Sequence, residues 1–212
     1  MKPISILELE FDTFFGSIGF RRVSEFVGES PAFKNADYIC QAKKIVVELK
    51  ILDKDFFKDG GVIDRFHSII PIPKQIDERG FGIYSIKIPN FNREGKIDSI
   101  EEPLRRIIKK ANRQIKETNR NLLSNDGKGI LVLALSGFLS LSLDILVAMI
   151  SELLTHEFSS ISGFIVCTPT LNSPSCISAS NEIIGSQIHV IRREISEAWC
   201  NFFDQGGHGS AN

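Results

Sequence analysis

Three residues in one short stretch have the types and spacing for chemistry on a charged substrate. They are Asp37, Glu48 and Lys50, within NADYICQAKKIVVELKIL at 35–52. The stretch reads as a β-hairpin. Ile39-Cys40 ends one strand, Gln41-Ala42-Lys43-Lys44 is a polar four-residue loop, and 45–51 is the second strand. With Cys40 facing Ile45, the register sets Asp37 opposite Glu48. Alternation then puts Glu48 and Lys50 on one face and Val47, Leu49 and Ile51 on the other. Two carboxylates opposite each other on neighbouring strands repel. A divalent metal and Lys50 would supply the positive charge that holds them together. The same pattern also suits a solvated strand face with Glu48 and Lys50 pointing outward.

The elements around the hairpin must position these groups. Ile4, Leu7, Phe11, Phe14, Phe15 and Ile18 recur at helical spacing and predict an amphipathic helix over 4–18, ended by Gly19. Residues 20–27 alternate enough to predict a first strand. Residues 53–98 are rich in Gly, Pro and Asn and read as an insertion, part strand, able to act as a lid. The strongest helical pattern covers 99–124. Ser99 and Glu102 resemble a capping box, Pro103 suits a first turn, and Leu104, Ile107, Ile108, Ala111, Ile115 and Leu122 form the apolar stripe. A strand at 130–136, a helix at 142–157 and a strand at 161–168 follow. After a Ser/Pro/Asn-rich loop, 187–192 reads as a last strand, 194–203 as a short helix and 206–212 as a flexible tail. Mixed order of this kind predicts an α/β fold with a central mixed β-sheet flanked by helices, in one domain over 1–212.

Composition narrows the function classes. Apolar residues make up 42% of the chain and charged residues 24%, an ordinary globular balance. A net charge of −1 gives no global pull on nucleic acid, so any polyanion site must be a local basic patch. The four cysteines make no CxxC pair, and the N-terminus carries acids where a signal peptide needs an apolar core; both favour a cytoplasmic protein. Residues 130–150 are apolar but for Asp144 and long enough to span a bilayer. Ser136-Gly137 breaks that run, so a buried strand followed by a core helix is the expected reading, with no membrane span.

Asp37, ten intervening residues and Glu48-Leu49-Lys50 together resemble the motif of the PD-(D/E)xK nuclease superfamily, whose members include restriction endonucleases and Holliday junction resolvases. In that superfamily the acid and the ExK lie on the two strands of a hairpin. A leading helix with a Glu, followed by a Gly-aromatic step, is usual in its restriction-endonuclease-like branch. Glu8 ahead of Gly19-Phe20 takes that place here. The helix and strand after the ExK strand correspond to 99–124 and 130–136, so the resemblance covers about residues 5–136. The proline that often precedes the acid is Ala36 in this chain. The resemblance implies a restriction-endonuclease-like core and a metal-dependent endonuclease cutting DNA, with RNA as the alternative substrate. It implies Mg²⁺ or Mn²⁺ as cofactor, and nucleases of this kind often work as homodimers. It also points to Gln114, because some members use a glutamine on the corresponding helix.

The residues support that expectation on chemical grounds. Mg²⁺ prefers oxygen ligands and keeps several waters, so Asp37, Glu48 and the carbonyl of Leu49 would form an open oxygen shell. Lys50 would orient or help deprotonate the attacking water and would meet phosphate charge. Glu8 would reach the site directly or through water. Arg105, Lys109, Arg113, Lys116 and Arg120 lie on the basic face of the 99–124 helix and form the candidate nucleic-acid surface, which a solvated helix face would explain equally well. The competing functional reading is a catalytically inactive nuclease-like fold that serves as a nucleic-acid-binding or regulatory module.

Overall fold

The computed structural model describes residues 6–28, 31–53, 98–136, 143–168, 175–180 and 186–204. Almost all of the predicted insertion and the predicted tail lie outside the described residues. The chain forms helix α1 (Ile6–Ser17), strand β1 (Arg21–Arg22), the one-turn helix α2 (Ser24–Val27) and the hairpin β2 (Tyr38–Cys40) and β3 (Ile45–Leu52). Helix α3 (Asp98–Leu122), β4 (Lys128–Leu135), α4 (Leu143–Glu157), β5 (Gly163–Thr168), β6 (Ser175–Ser180) and α5 (Ser186–Asp204) follow.

Among the described residues, six strands make one sheet in the order β1-β2-β3-β4-β5-β6. β3, β4 and β5 run parallel, and the outer pairs are antiparallel. Buried on both faces, the central strands are nearly continuous apolar runs, as parallel strands covered by helices require. Alternate residues feed two cores. On one face Val46, Leu52, Leu131, Leu133, Phe164 and Val166 pack against α3 and α4. On the other, Val47, Leu49, Val132 and Ile165 pack with Phe11, Phe14 and Phe15 of α1 and Ile195 and Trp199 of α5. Trp199 stacks on Phe11 with ring centroids 4.4 Å apart. The predicted α/β class with a central mixed sheet and flanking helices is therefore observed.

Local chemistry sets the element ends near the site. Helix α1 closes with a Schellman motif: Phe20 N–H donates to the Phe15 carbonyl at 2.9 Å, and Gly19 takes the left-handed φ of 84° that this needs. The hairpin has the predicted register, with Cys40 opposite Ile45 and Tyr38 opposite Val47. Lys44 N–H closes the loop on the Gln41 carbonyl at 3.1 Å. The apolar run at 130–150 divides into β4 and α4, and among the described residues no helix is long and apolar enough to cross a membrane.

Four expectations are corrected. The strand predicted over 20–27 stops after Arg22, and Ser24–Val27 turns into α2. Val23 is fully buried in the core that packs against α3 and α4, and its N–H donates to the Asp37 carbonyl at 2.9 Å. Helix α3 already includes Asp98, so Ser99 is inside it and is no cap, and Pro103 stands beyond the first turn. The strand predicted at 187–192 belongs to α5. Its β-branched residues alternate locally, but Ile191, Ile195, Ala198, Trp199 and Phe202 follow helical spacing and pack on the sheet. The last strand is β6, drawn from the stretch read as loop. Its Ser-rich sequence has weak strand propensity, and pairing with β5 over six residues defines it.

Candidate active site

Glu48 sits on the third of six strands with its side chain fully buried, an unusual place for a carboxylate. Its neighbours on the same face are the apolar residues that meet α3. Lys50, two residues on and 20% exposed, points the same way and donates from Nζ to Glu48 Oε1. Lys50 Nζ also donates to Gln114 Oε1 of α3 at 3.2 Å. Glu48 Oε2 is buried and has no hydrogen-bond partner among the described residues.

Asp37 closes the group from the neighbouring chain segment. Continuing the hairpin register by one residue sets it opposite Glu48, beyond the end of β2. Its Oδ2 accepts the Leu49 N–H at 2.8 Å. The N–H and C=O of a residue in an extended strand point to the same side, so the Leu49 carbonyl also faces the Asp37 edge. Arg22 Nη1 lies 4.0 Å from Asp37 Oδ1. Arg22 is itself fixed: Nε donates to Asp12 Oδ1 at 2.5 Å, and its guanidinium lies 4.9 Å from the Tyr38 ring centroid. Tyr38 Oη donates to the same Asp12 oxygen at 2.8 Å.

Three bonds from α3 hold the segment that carries Asp37. Lys34 N–H donates to Glu117 Oε2 at 2.6 Å, Gln114 Nε2 to the Asn35 carbonyl at 2.8 Å, and Ala36 N–H to Thr118 Oγ1 at 2.8 Å. Thr118 is fully buried. Gln114 therefore touches both halves of the site, the strand carrying Lys50 and the segment leading to Asp37.

Burial sets the electrostatics. It pushes the Glu48 carboxyl up to about 8, and the Asp37 charge adds to the rise, while Lys50 and then Lys110 pull it back. Burial also raises Asp37; the Leu49 N–H, Lys50 and Arg22 oppose that rise, and Glu8 adds to it. Two acids with raised proton affinity beside a lysine are a poised arrangement of the kind found where charge must be bound or moved.

Asp37, Glu48 and Lys50 thus converge, with Leu49 between them. Glu8, in the first turn of α1, is close enough for its charge to be felt at Asp37. The five basic residues predicted on α3 divide. Arg105 Nη2 is held by Glu157 at 3.2 Å and Arg113 Nε by Glu117 at 2.6 Å. Lys109, Lys116 and Arg120 are exposed. Arg22, Asp12 and Thr118 carry no motif. Only knowledge of which residues face Tyr38 and Ala36 could have drawn them in, although the expected strand did contain Arg22.

Among the described residues, no three His, Cys, Asp or Glu side chains gather as a metal-binding group. A cation here would rest on two carboxylates, a backbone carbonyl and water, a set that suits Mg²⁺ better than a metal needing an all-protein cage. The buried, unpartnered Glu48 Oε2 is the atom such a cation would satisfy. The chain was compared with protein-family models, with curated proteins and with solved structures, and it matches none of them.

Proposed function

We propose that the protein is a metal-dependent endonuclease with a restriction-endonuclease-like core, hydrolysing phosphodiester bonds in DNA. One observation carries the reading: a fully buried glutamate with an unpartnered oxygen beside Lys50, with Asp37 at the adjoining strand end. Asp37, Glu48 and the Leu49 carbonyl are the groups that would hold Mg²⁺ or Mn²⁺. When bound, the ion would neutralise charge on the phosphoryl oxygens and acidify an attacking water. Lys50, steadied by Glu48 and Gln114, offers an ammonium to the phosphate and orients the water for in-line attack. Helices α3 and α4 cover the sheet face that carries Glu48. A homodimer would let two such sites cut both strands. A cytoplasmic setting agrees with Cys40, a buried free thiol.

The direct test is cleavage of DNA by the purified protein with Mg²⁺ or Mn²⁺. Asp37→Asn, Glu48→Gln and Lys50→Ala should each lower kcat by about 10²-fold or more, the scale of losing an electrostatic or acid–base group. Circular dichroism should show the fold retained. Cutting that persists in all three variants overturns the assignment.

A second reading has its own observation. Lys50 bonds Glu48 directly, so the cluster is partly charge-balanced by the protein alone. That suits a nuclease-like fold that binds nucleic acid without cutting it. Calorimetry separates the two: Mg²⁺ binding that Asp37→Asn removes supports the enzyme, and DNA binding with no Mg²⁺ heat supports the module.

A further inference from the structure

The seven cations of α3 are not one basic face. Arg105, Arg106 and Arg113 are committed to ion pairs with Glu157, Glu102 and Glu117. Lys109, Lys110, Lys116 and Arg120 are exposed and make no ion pair among the described residues. Position on the helix then distinguishes these four. The segment 34–36 lies along the C-terminal half of α3, bonded at Gln114, Glu117 and Thr118. One turn toward the N-terminus from Gln114, on the same side of the helix, stands Lys110, about 6 Å along the axis. Gln114 reaches Lys50, so Lys110 stands at the Glu48–Lys50 end of the cluster, past the point where 34–36 covers the helix. Its charge is felt at Glu48.

A lysine without a carboxylate partner, next to a site holding two acids, is suited to an incoming anion. The chain's net charge of −1 gives a polyanion no general attraction, so the local cation must supply it. We propose that Lys110 is the α3 residue that holds a backbone phosphate of the nucleic-acid strand beside the one being cut. The inference rests on the nuclease reading and makes Lys110 a positioning residue. It singles out one residue of a basic face that the sequence spreads over seven cations of the helix.

The experiment compares Lys110→Gln with Lys110→Arg and with Lys128→Gln. Lys128 is exposed at the start of β4, five residues before Leu133, the partner of Lys50, and thus about 16 Å along the strand. Binding of a fluorescent DNA duplex is measured with Ca²⁺ in place of Mg²⁺ across a salt series, and cleavage is measured with Mg²⁺. Lys110→Gln should raise Kd and KM by about three- to tenfold and lower the slope of log K against log salt by about 0.9, one lost phosphate contact. Its kcat at saturation should stay within about twofold, because uniform binding is what is lost. Lys110→Arg should restore the slope, and Lys128→Gln should leave it unchanged. Equal slopes for Lys110→Gln and the unaltered protein overturn the proposal, and so does a fall in kcat at unchanged KM. If the protein binds DNA with the expected Lys110 dependence but never cuts it, the nuclease reading fails while the phosphate contact stands. If it binds no DNA, both fall.

Discussion

Replacing Glu48 by Gln should make the metal-free protein more stable at alkaline pH and, on the nuclease reading, lower cleavage by about 10²-fold or more. The carboxyl is fully buried, and its pKa rises from 4.5 to about 8. An acid whose folded pKa lies above its unfolded value keeps, in the native state, a proton that the unfolded chain has released. Stability therefore falls as pH rises from about 4.5 to about 8 and stays low above that. A gap of that size corresponds to about 5 kcal/mol at ~1.36 kcal/mol per pKa unit. Relaxation around a buried charge brings the expected loss to roughly 2–5 kcal/mol. Glutamine has no such loss. It does leave an amide N–H₂ where Oε2 finds no partner, a pH-independent cost of about 1–3 kcal/mol. The assay is urea unfolding of both proteins in chelator at about pH 5, 7 and 9, taking their difference so that other titrating groups cancel. The difference should move in favour of Glu48→Gln by about 2–5 kcal/mol between the extremes. Adding Mg²⁺ at about 100 times its Kd should return ~2.7 kcal/mol to the unaltered protein and little to the variant. A difference that stays flat with pH refutes the reasoning, because Glu48 would then ionise as freely in the fold as outside it.

Two further substitutions test how the site is held. Thr118→Val keeps the shape but leaves the buried Ala36 N–H without an acceptor, so it should destabilise by about 1–3 kcal/mol and weaken Mg²⁺ binding in calorimetry, while Thr118→Ser restores both. Gly129→Ala would drive its new Cβ into the Ser160 carbonyl and the Ile115 side chain, where α3 meets the start of β4; thermal unfolding should report a loss of about 3 kcal/mol or more.

Much of this arrangement was legible before the structure. The hairpin register followed from one facing pair and strand alternation, and it carried Asp37 to Glu48. Helix α3 was legible because its apolar stripe is long and regular. What failed were short segments decided by tertiary context. Residues 187–192 hold enough β-branched residues to imitate a strand, but the sheet face they cover asks for helical spacing. The Ser-rich β6 exists because β5 has an edge to fill. Lys110 and Lys116 look alike in the sequence. The segment 34–36 tells them apart by covering one half of α3, and that contact joins residues about 80 positions apart.

The bond from Leu49 N–H to Asp37 Oδ2 has a consequence for the sheet itself. Past Tyr38 the hairpin has run out of backbone partners, and a side chain supplies the next rung. Asp37 also accepts the Val23 N–H with its own carbonyl, so one residue ties β3 to the chain leaving β1. A backbone rung cannot be titrated or taken by a ligand, but this one can. Whatever claims the Asp37 carboxylate therefore competes for a stitch in the sheet. The edge of the fold and the occupancy of the site are governed by the same pair of oxygen atoms.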